Sequence, residues 1–124
     1  MVEKVCLDSD IIIEISKDNK ELKNGIENLE AEYSTTSINI FEVLCGEREG
    51  DNLRELLDDF SKLNFDEKSA KIASKIFKEL KNKGKIIDAR DIFIGSVCIS
   101  NNSPLWTYNK KHFERLKDFG LKLI

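Results

Sequence analysis

Residues 5–13 read VCLDSDIII, an apolar run that stops at acidic residues and then resumes. The run VCL is typical of a short buried strand, and the acids that follow it are typical of the start of a helix. The chain repeats this order, with short β-prone runs separated by segments whose apolar residues recur at helical spacing. Such alternation predicts a parallel sheet covered on both faces by helices.

The strand candidates are five short runs, at residues 5–7, 33–36, 62–64, 105–108 and 121–124. Helical spacing of apolar residues is found between them, at residues 22–29, 53–60 and 73–80. We therefore expect an α/β protein, a three-layer α/β/α sandwich with a central parallel sheet of four to five strands. In open sheets of this kind, ligands bind outside the carboxyl ends of the strands.

The chain has 124 residues, of which 40% are hydrophobic and 35% charged, which predicts one globular domain spanning residues 1–124. Its apolar stretches fall far short of the roughly 20 residues that cross a bilayer. The first residues lack the basic and apolar segments of a secretory signal. We expect a cytoplasmic protein without a membrane partner.

Cysteine and histidine are too sparse for an ordinary zinc site. The three cysteines, Cys6, Cys45 and Cys98, are widely spaced among apolar neighbours, which predicts reduced thiols in the core. His112 is the only histidine. A bound metal ion would therefore need oxygen ligands.

The formal net charge of −3 at pH 7 conceals an uneven distribution. Residues 1–62 carry 7 basic and 16 acidic side chains, whereas residues 63–124 carry 13 basic and 7 acidic ones. The overall sign argues against a general polyanion binder. The basic half still permits a local contact with nucleic acid.

Four polar residues follow predicted strands or open an apolar helix, namely Asp8, Glu42, Asp91 and Asn109. Parallel strands end at one edge of a sheet, so we expect three carboxylates and an amide to converge there. Like charges in a partly buried cleft raise one another's pKa values unless a cation lies among them. Mg²⁺ supplies that charge and prefers carboxylate and water oxygens.

An acidic site of this kind suits phosphodiester hydrolysis. One metal ion, or two that lie about 3.5–4 Å apart, lowers the pKa of an attacking water and neutralises charge on the scissile phosphate. Such a reaction needs no histidine base.

These residues also have a structural explanation, because acids and amides cap helices and complement the positive end of the helix dipole. Asp8 or Asp10 would cap the first helix, and Asn39 would cap the next one with Glu42 as its third-position acid. Asp88 would cap the helix in which Asp91 complements the dipole, and Asn109 would cap the helix that carries His112. Helix caps and a metal site are both open interpretations of the same residues.

Four segments, in order, resemble the motifs of the PIN domain family, which are metal-dependent nucleases with an α/β/α sandwich. The segments read LDSDIII (residues 7–13), TTSINIFEVLCG (35–46), DIFIGS (91–96) and TYNKKHFER (107–115). The resemblance extends from Leu7 to about Leu116. The small size and the His-Phe ending look most like the VapC-type toxins of toxin–antitoxin pairs, which are Mg²⁺-dependent endoribonucleases.

The resemblance implies a role for each residue of the acidic set. Asp8 and Asp91 would be the principal metal ligands, and Glu42 would bind the ion directly or through water. Asn109 would occupy the fourth acidic position of the catalytic set. The supporting residues would be Asp10, Ser37 and Asp88.

The same resemblance implies Mg²⁺ or Mn²⁺ as the cofactor and single-stranded or loop RNA as the substrate. It implies a VapB-like antitoxin whose tail places an Arg or Lys among the acids, and a homodimer formed by helices near the second motif. Asn109 replaces the acid of many relatives and adds no charge for a second ion. Asn39 stands where a hydroxyl residue is frequent in the family.

The basic residues beside Asn109 are the candidates for contacts with RNA phosphates, namely Lys110, Lys111 and Arg115. Further lysines recur along residues 71–85. That second group is typical of a solvated helix face.

Three other functions stay open. A housekeeping nuclease that processes RNA would use the same acids. A phosphatase of the haloacid dehalogenase type would use Asp8 as a nucleophile, with Ser37, Lys85 and Asp91 in its later motifs. A non-enzymatic interaction domain would need the acids only as helix caps.

Overall fold

The computed structural model describes residues 3–17, 20–28 and 30–124, so Leu29 of the first helical pattern lies outside the described residues. The strands are β1 (Glu3–Leu7), β2 (Ala31–Thr36), β3 (Ser61–Leu63) and β4 (Leu105–Trp106). The helices are α1 (Ser9–Ser16), α2 (Lys20–Asn28), α3 (Ser37–Cys45), α4 (Leu53–Asp58), α5 (Glu67–Asn82), α6 (Ala89–Ser100) and α7 (Lys110–Phe113), followed by a 3₁₀ helix (Glu114–Phe119). None of the described helices is long and apolar enough to cross a membrane.

All four strands pair in parallel, in the order β3-β2-β1-β4. β1 lies in the interior of the sheet, where Cys6 is opposite Ser34 of β2 and Leu105 of β4. β3 confirms the strand predicted near residue 62. The described sheet therefore has four of the predicted four to five strands.

Two predicted strands are wrong in extent. β4 ends at Trp106 and does not continue to Tyr108. Residues 121–124 contribute only a single bridge, between Leu123 and Leu105. The reason is that a β4 of two residues offers a neighbouring strand almost no length to pair with.

The side chains of β1 alternate between the two faces of the sheet. Val5 and Leu7 pack into a core with α1, α3 and α4, whereas Cys6 packs on the other face with α5 and α6. Both faces are apolar and covered by helices, as is usual for parallel sheets. The predicted α/β/α sandwich is confirmed.

The cysteines differ in burial. Cys6 and Cys98 are free thiols inside the core, as predicted, whereas Cys45 is exposed. The prediction is wrong for Cys45 because the buried face of α3 is defined by Asn39 and Val43, four residues apart, and Cys45 points away from it.

Two of the predicted helix caps are present at the carboxyl edge of the sheet. Asp8 follows β1 and accepts a hydrogen bond from the Ser9 amide as α1 begins. Asp88 accepts one from the Arg90 amide as α6 begins. Capping therefore explains part of the contacts of both acids.

The cap of α3 differs from the predicted one. Thr36, the last residue of β2, is the cap, and its hydroxyl oxygen accepts a hydrogen bond from the Asn39 amide at 3.1 Å. Asn39 lies inside the helix and is fully buried. The interpretation of Glu42 as the third-position acid of a cap at Asn39 is therefore wrong, which leaves its carboxylate free for other contacts.

Candidate functional site

Asp8 is the buried acid of the site, with 6% of its surface exposed. Its Oδ1 accepts hydrogen bonds from the Ser9 amide and from Asn39 Nδ2, both at 2.9 Å. Its Oδ2 accepts one from the Thr107 hydroxyl at 2.7 Å. The carboxylate is thus held from three sides, by the start of α1, by α3 and by the residue that follows β4.

Asn39 connects Asp8 to Glu42. Its Oδ1 accepts a hydrogen bond from Thr36 Oγ1 at 2.6 Å, which orients the amide so that Nδ2 faces Asp8 and Ser9 Oγ. The Ser9 hydroxyl in turn donates to Glu42 Oε1 at 2.8 Å. A continuous chain of hydrogen bonds therefore sets the position of two predicted metal ligands relative to each other.

Asp91 lies in the first turn of α6 and is partly buried. Burial raises the pKa of Asp91 to about 6, and the nearby negative charge of Asp88 adds to the shift. His112, whose Nδ1 lies 3.7 Å from Asp91 Oδ2, opposes it. The charges of Asp8 and Glu42 raise the pKa further, so at neutral pH the site holds excess negative charge that a cation would stabilise.

Arg90 pairs with two of the acids. Its Nη1 lies 3.6 Å from Glu42 Oε2, and its Nη2 lies 3.3 Å from Asp88 Oδ2. The hydrogen bonds from Arg90 hold the pKa of Asp88 below its usual range. Asp88 therefore belongs to an ion pair at the rim of the site, in addition to capping α6.

Asp10 and Asn109 bond to each other. Asn109 Nδ2 donates to Asp10 Oδ2 at 3.2 Å, and the Tyr108 amide donates to the same oxygen at 3.0 Å. Burial and the charge of Asp8 raise the pKa of Asp10. Asn109 occupies the predicted cap position at the start of α7, but its side chain makes no capping hydrogen bond there. Its amide is committed to Asp10 instead.

Ser37 is directed elsewhere. Its Oγ accepts a hydrogen bond from the Phe65 amide at 3.1 Å. That bond ties the start of α3 to the segment after β3. This hydrogen bond gives Ser37 a role in the fold. Among the described residues, the Ser37 side chain makes no hydrogen bond to the acids of the site.

A groove of about 380 Å³ lies beside Asp91 and contains both acidic and basic side chains. Two of the three predicted RNA contacts, Lys111 and Arg115, line it together with Asp88 and Asp91. Lys110 is exposed at the start of α7, outside this lining. Positive charge from Lys111 and Arg115 therefore lies next to the carboxylates of Asp88 and Asp91.

The donor set fits a hard cation, although the side chains are not yet arranged around one. Among the described residues, no three acidic, histidine or cysteine side chains form a ready site for a metal ion. Glu42 faces Arg90, and Asp91 faces His112. Carboxylate oxygens from Asp8, Glu42 and Asp91 are nevertheless the ligands that Mg²⁺ prefers, and the pKa of Asp91 is raised by burial and by the neighbouring acids.

Comparison with known families matches residues 5–118 to the PIN domain. The chain belongs to the PIN domain family. The matched range contains all four members of the predicted set, Asp8, Glu42, Asp91 and Asn109. The recognition based on four sequence motifs is confirmed, and the haloacid dehalogenase alternative is wrong.

Curated relatives of this PIN domain include two proteins of Methanocaldococcus jannaschii. Ribonuclease VapC1 is 35% identical over 122 residues, which cover 97% of this chain and 86% of the relative. Ribonuclease VapC3 is 42% identical over 95 residues, which cover 73% of this chain and 94% of the relative. The similarity to proteins named as VapC ribonucleases thus extends over most of each chain.

Solved structures resemble this PIN domain over nearly its whole length. VapBC2 of Rickettsia felis, bound to a promoter DNA fragment, has a TM-score of 0.82 at 26% identity. The match covers 98% of this chain and 97% of the Rickettsia chain. DNA-bound VapBC of Salmonella typhimurium has a TM-score of 0.80 at 20% identity, and the match covers 100% of this chain and 98% of the Salmonella chain. The PIN-like fold expected from the sequence is confirmed.

Sequence reasoning missed the residues that orient the acids or lie against them, namely Ser9, Thr36, Arg90, Thr107 and His112. It also gave Asn39 the wrong role. A signal for Asn39 was present, because it is a polar residue inside the apolar run INIF. Arg90 adjoins Asp91 in the sequence, but its ion pair with Glu42 of α3 depends on the direction of the Arg90 side chain, which the sequence does not indicate.

Proposed function

We propose that this PIN domain is a Mg²⁺-dependent endoribonuclease and the toxin of a VapBC-type toxin–antitoxin pair. The observation that carries the proposal is the juxtaposition of Asp8, Glu42 and Asp91 at the carboxyl edge of the sheet, in a chain whose relatives are named as ribonucleases. Mn²⁺ has the same ligand preference and would replace Mg²⁺.

Asp8, Glu42 and Asp91 would hold the metal ion. When bound, Mg²⁺ would lower the pKa of an attacking water and neutralise charge on the scissile phosphate. The hydrogen bonds from Asn39 and Thr107 keep Asp8 in place before the ion arrives, which reduces the rearrangement that binding requires.

The substrate would be single-stranded or loop RNA. Lys111 and Arg115 would bind phosphates along the groove beside Asp91, and Lys110 would extend this contact at the start of α7. Water would attack the phosphorus and the P–O3′ bond would break, with O3′ leaving as the 3′-hydroxyl once protonated. The products would therefore carry 5′-phosphate and 3′-hydroxyl ends, and the 2′-hydroxyl would take no part.

The partner would be a VapB-like antitoxin, as in the VapBC complexes that this fold resembles. The excess negative charge around Asp91 would accept an Arg or Lys side chain from the antitoxin tail, which would block metal binding. A homodimer and a cytoplasmic location follow from the family resemblance and belong to the same proposal.

The test is cleavage of a labelled single-stranded RNA in Mg²⁺. Asp8→Asn and Asp91→Asn should each abolish cleavage and keep the far-ultraviolet circular dichroism spectrum, because each removes a ligand charge at nearly constant volume. Asp118→Asn, an exposed acid in the 3₁₀ helix, is the matched control and should cleave like the wild type.

Retained Mg²⁺-dependent cleavage in either site variant would contradict the assignment of the site. A wild type that neither cleaves RNA nor gains thermal stability in Mg²⁺ would favour the non-enzymatic interaction domain. Expression in cells separates a toxin from a housekeeping nuclease, because only a toxin should arrest growth and be relieved by a small antitoxin-like protein from an adjacent gene.

A further inference from the structure

Arg90 brings positive charge into the acidic site from the first turn of α6. Its Nη1 reaches across to α3 and lies 3.6 Å from Glu42 Oε2. In the described part of the chain, it is the only Lys or Arg that forms an ion pair with a proposed metal ligand. A divalent cation and the Arg90 guanidinium would therefore compete for the Glu42 carboxylate.

The two oxygens of Glu42 are held with different strength. Oε1 accepts a hydrogen bond from the Ser9 hydroxyl at 2.8 Å, and Ser9 is in turn fixed by Asn39. Oε2 faces Arg90 at 3.6 Å, which is an ion pair without a hydrogen bond. A metal ion that approaches Glu42 would therefore displace Arg90 and leave Ser9 in place.

Asp88 would keep the displaced guanidinium at the rim of the site. Arg90 Nε lies 3.4 Å from Asp88 Oδ1, and Nη2 lies 3.3 Å from Asp88 Oδ2. Neither contact involves Nη1, which would be left without a partner once Glu42 binds a cation. The Arg90 side chain is 54% exposed, so Nη1 would then be accessible to a phosphate passing beside Asp91.

We propose that Arg90 is a phosphate-binding residue for the RNA strand and that Glu42 retains it until a divalent cation binds. The metal ion and Arg90 compete for Glu42 Oε2, so metal binding makes the guanidinium available to RNA. This inference rests on the proposed function, because it takes Glu42 as a metal ligand and RNA as the substrate. It adds an order of events, in which the metal ion binds before the RNA phosphate is engaged.

The first measurement compares the metal affinity of Arg90→Gln with that of Arg54→Gln, in the absence of RNA. Arg54, on α4, also forms an exposed ion pair, with its Nε 3.0 Å from Glu47 Oε1, but Glu47 is not a proposed metal ligand. Mn²⁺ binding is followed through the electron paramagnetic resonance signal of the free ion. Arg90→Gln should bind Mn²⁺ about two- to fivefold more tightly than the wild type, as expected when one exposed competing ion pair is removed. Arg54→Gln should match the wild type.

The second measurement follows the affinity for a fluorescent single-stranded RNA over a range of salt concentrations, with Ca²⁺ in place of Mg²⁺. Arg90→Gln should bind more weakly, and the slope of log affinity against log salt should fall by about 0.7, the value for one phosphate contact on a single strand. In EDTA, Arg90→Gln and the wild type should bind RNA equally, because Glu42 then retains Arg90.

Tighter Mn²⁺ binding together with a loss of RNA affinity that needs Ca²⁺ supports the inference. Equal Mn²⁺ affinity of Arg90→Gln and the wild type overturns it, and so does a loss of RNA affinity that persists in EDTA; neither result affects the proposed function. A wild type that binds no Mn²⁺ overturns both. Thermal unfolding in EDTA checks that the two exposed substitutions leave the fold intact.

Discussion

The side-chain amide of Asn39 donates to Asp8 Oδ1 at 2.9 Å, and both residues are buried. The bond joins α3 to the end of β1 and satisfies a carboxylate that has little access to water. The same amide nitrogen also donates to Ser9 Oγ, which holds Glu42. One side chain therefore controls the geometry of two acids.

Replacement of Asn39 by alanine should lower both stability and cleavage. Asn39→Ala removes the donor to a buried carboxylate and leaves a small cavity, so the free energy of unfolding should fall by about 2–4 kcal/mol. Urea unfolding in EDTA at pH 7 measures the change. Asn24→Ala, at an exposed position of α2, is the control and should stay within about 0.5 kcal/mol of the wild type. Equal effects of the two variants would mean that Asp8 does not depend on Asn39.

Asp91 should make the metal-free protein less stable as the pH rises. The pKa of Asp91 is raised from 3.8 to about 6 in the folded protein, so the folded state binds the proton more tightly than the unfolded state does. Its contribution to the free energy of unfolding is therefore fully present below about pH 4 and is lost as the pH rises through 6. Asp91→Asn should flatten this dependence and, in EDTA at pH 8, should melt at a higher temperature than the wild type.

The controls for this prediction use Asp10 and Asp118. The raised pKa of Asp10 acts in the same direction, so part of the slope should remain in Asp91→Asn. Asp118→Asn should keep the wild-type slope. An Asp91→Asn protein that is less stable than the wild type at pH 8 without metal would show that Asp91 stabilises the fold.

The basic residues of α7 should affect RNA binding and have little effect on stability. The double variant Lys110→Glu Lys111→Glu should reduce cleavage at low RNA concentration by about tenfold or more and weaken its salt dependence, because two phosphate contacts are lost. The matched control reverses two exposed charges of α5, Lys75→Glu Lys78→Glu. A similar loss in both variants would indicate an effect of net charge, whereas melting temperatures should change little in either.

Substitutions of Asn109 and Asp10 should have coupled effects on stability. Asn109→Asp would place a second carboxylate next to Asp10 Oδ2, where Nδ2 now lies at 3.2 Å, so the metal-free protein should lose stability at pH 8. Adding Asp10→Asn should restore it, with a coupling energy of about 1–2 kcal/mol in a double-mutant cycle. Additive effects of the two substitutions would contradict direct contact between these side chains.

The acids of the site are predictable from the sequence because their placement follows from topology. Parallel strands bring Asp8 and Thr107 to one edge, and α6 begins there with Asp91 in its first turn. The contacts made by Asn39 were not predictable, because they depend on the packing of α3 against β1. The cap, Thr36, is the last residue of the predicted strand, so the interpretation of Asn39 as the cap displaced the helix start by three residues.

The extent of β4 shows the same limit of sequence reasoning. Residues 105–108 have strand-like composition, but the Thr107 hydroxyl donates to Asp8 and the Tyr108 amide donates to Asp10. These bonds draw the chain into the site and end the strand at Trp106. The predicted strand at 121–124 then finds little to pair with. Local propensity was overridden here by tertiary hydrogen bonds of the site.

The unequal burial of the three thiols makes the unmodified chain a convenient reporter. A maleimide dye or spin label would react with the native protein at Cys45 alone, on the same helix as Glu42 and three residues further along. Distances between labels on two subunits would then measure any dimer in solution without engineered cysteines. Cys6 and Cys98 would react only after the core opens, so the delay before their alkylation would time the unfolding of the sheet.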